Sequence, residues 1–195
     1  MIASFVVSCK GKIEQTDAYK LGQVPLQTVN DMFAVQTDKG IVNMRIEAGV
    51  MEHYETDTMS MDVFPKGMSV FGYTDEGFLE SVIVADEARH LMPSAGYGDE
   101  VWEAYGDVVI HNVLKRETME TDTIYWDQSK KEIYTDCYVK MYSPDVFMQG
   151  YGMRSDDHAR NAVLRLPFNG YAVTNRDTTV VMIDSVNFIG PFPKK

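Results

Sequence analysis

Cysteine is scarce in this chain: Cys9 and Cys137 are the only two. No disulfide framework follows from so few, and the pair neither requires nor excludes an oxidising compartment. There is no run of about 18 apolar residues, the length at which a helix crosses a bilayer, so nothing in the sequence reads as a membrane-spanning helix. Positive charge is also short. Lys and Arg total 18 against 29 Asp and Glu, a formal net charge of −11. Nucleic acid demands a basic face, and anionic headgroups attract basic segments, so both are poor partners for this chain. The acidity keeps a protein soluble.

Catalytic and metal-binding patterns are missing too. His53, His90, His111 and His158 sit in separate segments with no HxH, HExxH or His/Cys spacing, and read as scattered surface histidines. The acidic pairs Asp75-Glu76 and Asp156-Asp157 lie in turn contexts with no second carboxylate placeable opposite them. No nucleophile elbow, P-loop or dinucleotide fingerprint occurs, and Gly150-Tyr151-Gly152 reads as a bulge or kink in a strand. No enzyme, metal site or cofactor is expected.

What the sequence has is short alternation. Val42, Met44 and Ile46 fall on one face of Ile41–Glu47 and Asn43, Arg45 and Glu47 on the other, while Cys137, Val139 and Met141 repeat the pattern. A period of two marks a strand with one buried face. Lys39-Gly40, Pro65-Lys66-Gly67, Asp75-Glu76-Gly77, Gly96-Tyr97-Gly98 and Ser143-Pro144-Asp145 read as turns between such strands. No long amphipathic helix is legible; residues 14–21 could form a turn or two. The chain is predicted to be mainly β. An echo runs through it: Asp107 and Asp136, like Asp127 and Asp156, are 29 residues apart, with Val108 and Ile110 superposed on Cys137 and Val139. Ala85-Asp86 suggests a third, less regular copy. Units this short must stack into a solenoid or rolled sheet to bury their faces, although a plain jelly roll could show the same echo.

At the start, Met1–Val7 is a brief apolar stretch ending at Ser8-Cys9, and Val6-Val7-Ser8-Cys9 resembles a lipobox. A lipidated Cys9 would hold a soluble domain at a membrane. A cationic start and a longer apolar core are missing, which leaves a chance cysteine, a remnant of a membrane helix or a start upstream as the other readings.

The order and spacing of several segments resemble the LptC family, the periplasmic bridge component of lipopolysaccharide export. These run from Gly40–Ala48 through Tyr54, Met61–Pro65 and Val82–Ala88 to Trp102–Ile110, Thr121–Asp127, Ile133–Asp136 and Gly150–Asp156. The resemblance implies an all-β, half-open twisted jelly roll, a V-shaped trough whose apolar inner face shelters the acyl chains of lipid A. It further implies a non-enzymatic transfer subunit held at the inner membrane. Such a subunit receives lipopolysaccharide from an ABC transporter and passes it to an LptA-like periplasmic bridge protein through open sheet edges. Three departures stand out: a lipobox in place of a membrane helix, no glycine near Lys115-Arg116 (so a longer hairpin is expected), and residues 167–195 beyond the matched region. In that tail Val180–Ile183 could add a strand over the docking edge.

The expected organisation is a truncated signal or anchor remnant at 1–9, a linker at 10–27, the roll at 28–175 and an extension at 176–195. Parity places Met44, Ile46, Val70, Val84, Ile110, Ile124, Val139, Met141 and Met148 inward as the lipid-lining set. The methionines among them suit either an adaptable lipid-facing surface or simple core filling. Two other functions compete. A β-solenoid or jelly-roll surface or adhesion protein, binding protein or glycan partners, would have an inner face filled by its own side chains. A carbohydrate-active jelly roll would need a carboxylate pair that the sequence does not offer.

Overall fold

The computed structural model describes residues 22–173 and two further strands, 180–183 and 188–189. Cys9 and the possible turn at 14–21 lie outside them. All regular structure in the described residues is β, in one antiparallel sheet of 13 strands. In chain order these are β1 (Gln27–Asp38), β2 (Ile41–Glu55), β3 (Met59–Phe64), β4 (Met68–Tyr73), β5 (Leu79–Ala85), β6 (Glu87–Pro93) and β7 (Val101–Asn112). They continue with β8 (Glu117–Asp127), β9 (Glu132–Tyr142), β10 (Val146–Asp156), β11 (Val163–Val173), β12 (Val180–Ile183) and β13 (Phe188–Ile189). The expected turns all join consecutive strands. In the first, Lys39 (φ 49°) and Gly40 (φ 83°) take the left-handed conformations of a tight hairpin turn.

The connectivity is an up-and-down meander with one subtlety. β3 and β4 both pair with the same edge of β2, Glu52 opposite Val63 and Ala48 opposite Met68. β6 and β5 likewise share one edge of β7, Glu87 opposite Tyr105 and Val84 opposite Val109. So β3–β4 and β5–β6 are each one long strand, broken at Pro65–Gly67 and at Asp86. Their neighbours are irregular at the same level. Asp31 (φ 50°), Asp107 (φ 43°), Gly106 (φ 75°) and Gly152 (φ 74°) are left-handed there, and the registers shift between Tyr105 and Val108, Thr121 and Tyr125, and Tyr151 and Met153. Bulges bend a strand and increase its twist. Aligned across the sheet, they make a crease dividing it into two leaves. One leaf carries the first half of β2 with β4, β5 and the second half of β7; the other carries β3, β6 and the first half of β7.

The crease explains the echo in the sequence. Asp107 and Asp136 both occupy it, exposed, one strand pair apart. Asp127 and Asp156 both organise the connection that follows their strand. The Asp127 carboxylate accepts from Ser129 Oγ at 2.6 Å and Lys130 N at 2.9 Å, and that of Asp156 accepts from Arg160 N at 2.7 Å. The 29-residue interval is the length of two strands and two turns. Asp86 is a crease residue as well, its N–H donating to Gly106 O at 3.0 Å.

The hairpin at Lys115-Arg116 is not lengthened. Only Val113–Arg116 separate β7 from β8, because Arg116 itself takes φ 57° and Asn112 Oδ1 accepts from Lys115 N at 2.8 Å. The extension past residue 173 carries β12, which pairs with β11 only at Tyr171–Val173.

Candidate functional site

The faces turned inward across the crease form one apolar cluster, including Ile46, Val70, Val108, Ile110, Met119, Ile124, Ile133, Val139, Met141 and Met153. Met44 and Met148 are partly buried against it. The expected inward residues therefore lie in or against this cluster, with one correction. Val84 is 43% exposed, on the outer face. Register decides it: Ile83 stands between Val70 and Ile110, whereas Val84 stands between Ser69 and Val109. Val82-Ile83-Val84-Ala85 is apolar throughout, so its sequence reads alike in either phase.

The middle of the roll is filled: Val108, Ile110 and Val139 are fully buried. At the mouth the leaves stand apart and leave a cleft of about 340 Å³. Met44, Val70 and Ile83 line it from one leaf, and Trp126 and Ile133 from the other, with Gln36, Gln128 and Lys131 among its polar groups. A larger groove, about 430 Å³, lies near Asp107, Glu120, Asp122, Tyr138 and Lys140 on the outer side of the crease.

Beside the cleft, the β10–β11 connection (residues 157–162) reaches from the tip of one leaf to the tip of the other as a strap. Arg160 Nε and Nη2 donate to the two Glu80 carboxylate oxygens, each at 2.7 Å. His158 Nδ1 lies 3.3 Å from the same carboxylate. Asn112 Nδ2 donates to Ala159 O at 3.0 Å, and Lys115 Nζ donates to Arg160 O. Ala159 (φ 56°) is pressed into the core. Glu80 is buried, and the Arg160 guanidinium holds its carboxyl below the ordinary value of 4.5, outweighing the opposing effect of burial. These partners are 80 residues apart, and single-strand patterning carries no signal for such a pairing.

The histidines are less scattered than their sequence suggests. β2, β3 and β6 set His53, Asp62 and His90 side by side. His53 Nδ1 is 2.6 Å from Asp62 Oδ1, and His90 Nε2 is 2.7 Å from Glu100 Oε1. The His90 ring stacks on Trp102 with centroids 4.1 Å apart. Among the described residues no group of three or more such side chains is arranged to hold a metal ion. Cys137 is a free, half-buried thiol.

Fold and site together define an all-β roll with an apolar interior, an open mouth and, among the described residues, a long unpaired edge along β1. Residues 4–166 match the family described as "Lipopolysaccharide-assembly, LptC-related", and the chain belongs to this LptC-related family. It is accordingly a non-enzymatic component of lipopolysaccharide transport, from a family that works in the inner-membrane-associated periplasmic bridge with the transporter and bridge proteins. No curated protein matches the chain.

Proposed function

We propose that this chain takes lipopolysaccharide from the inner-membrane ABC transporter, shelters lipid A acyl chains along its inner face, and passes them to an LptA-like bridge protein. The cleft carries this reading: it opens the apolar cluster to the outside between Met44 and Val70 on one leaf and Trp126 and Ile133 on the other. Each buried methylene gains roughly 0.8 kcal/mol, so a passage of this kind lowers the barrier to moving an acyl chain through water without chemistry. Because the middle of the roll is filled, the lipid-lining role of Ile46, Ile110, Ile124, Val139, Met141 and Met148 requires the leaves to part beyond the cleft. The edges of β1 and of β11 ahead of Tyr171 are the docking sites in this proposal, each unpaired among the described residues and suited to an added strand. Attachment at the inner membrane through a lipidated Cys9, with residues 10–27 as a linker, belongs to it as well.

Photo-crosslinking residues at Met44 and Val70 should give lipopolysaccharide adducts in cells, and at the outward Val84 none. Adducts at Val84 alone, or at no inner position, would overturn the proposal. Fatty-acid labelling lost in Cys9→Ala would support the anchor, and retained label would remove it.

A further inference from the structure

The inner face of the second leaf carries a row of polar hydrogens without acceptors. Trp102 and Trp126, the chain's only tryptophans, are cross-strand partners with ring centroids 6.1 Å apart. Ile133 continues the row on β9 and Ser155 on β10. Both indole N–H groups and the Ser155 hydroxyl are buried and meet no partner in the protein; Ser155 is only 6% exposed. A buried donor left unpaired costs more than an ordinary hydrogen bond returns. A row needed only for packing would be served better by Phe and Ala. Trp126 and Ile133 form a wall of the cleft, and His158 of the strap stands at the same opening.

We propose that Trp102, Trp126 and Ser155 form a subsite for the carbonyl oxygens of an acylated lipid. The Trp126 indole on the cleft wall packs along the chain, and the N–H and O–H groups donate to the ester or amide carbonyls where the chain joins its headgroup. This assignment rests on the lipid-carrying reading and adds to it a preference for how the chain is attached, which apolar burial alone cannot provide. The occupant enters beneath the strap, and the polar rim at Gln128 and Lys131 faces its headgroup end.

The test uses the full chain and two water-soluble probes, a short-chain diacyl phosphatidic acid and its dialkyl-ether analogue, which differ only in the carbonyls. Tryptophan emission reads binding locally, since both indoles belong to the row. The wild type should bind the ester lipid about tenfold more tightly than the ether lipid. Trp126→Phe keeps a ring but loses a donor; it should bring the preference to about twofold or less. Ser155→Ala gives the same reading should Trp126→Phe fail to fold. Equal binding of the two lipids by the wild type would overturn the subsite and leave the carrier function standing. Binding of neither lipid would overturn both.

Discussion

At the residue scale, Glu80 shows most clearly how a side chain can matter far from its place in the sequence. Its folded carboxyl is held below 4.5, first by the paired Arg160 hydrogen bonds and also by the charges of Arg160 and His158, against burial and Asp156. A depressed carboxyl stabilises the fold above its unfolded value, and that contribution is lost as pH falls through the folded one. Urea midpoints should therefore drop for the wild type as pH is lowered from about 5. Glu80→Gln should start less stable and fall less over the same window; parallel profiles would show that the clasp contributes nothing. The sequence made other residues legible and not this one. Alternation placed Ile110 and Val139 inside because parity is a local property. It failed at Val84, where four consecutive apolar residues erase the phase, and it had nothing to say about Glu80, whose partner is fixed only when the leaves face one another.

At the scale of elements, the crease lets long strands serve two leaves, and glycine is required where it is tightest. Gly106 has φ +75°, and a Cβ there would stand 2.9 Å from Asp86 Cβ, beside the bond from Asp86 N to Gly106 O. Gly106→Val combines a left-handed β-branched residue with overpacking, a cost of about 2–4 kcal/mol, and should lower the urea midpoint accordingly. An unchanged midpoint would mean that the strand crosses the crease without the bend described. The turns and the bulge at Gly150–Gly152 were readable from composition, since glycine, proline and asparagine or aspartate mark them directly. That β3 and β4 share one edge of β2, and β5 and β6 one edge of β7, was not readable, because register across strands is written in no single segment. Nor was the gathering of His53, Asp62 and His90, which needs three strands in place at once.

At the scale of the whole molecule, stability is graded across the sheet. β7, β8 and β9 hold the fully buried Val108, Ile110, Ile133 and Val139 and are paired on both edges, whereas much of β1 is exposed. Amide exchange should be slowest in β7–β9 and fastest in β1 and the outer part of β11. Addition of an LptA-like bridge protein should slow exchange in one of those two edge strands and leave β7–β9 as they were. Protection confined to the outer side of the crease would rule out docking by strand addition.

The meander has a kinetic consequence. Each long strand hydrogen-bonds to the one made just before it in the chain, so the sheet can assemble as a zip, hairpin after hairpin, with little loop to close at each step. Only the strap must wait, since Arg160 meets Glu80 after the intervening strands are in place. A protein that grows by adding one neighbour at a time has no built-in last step at its edges. A strand supplied by another molecule is, to that edge, the next tooth of the same zip.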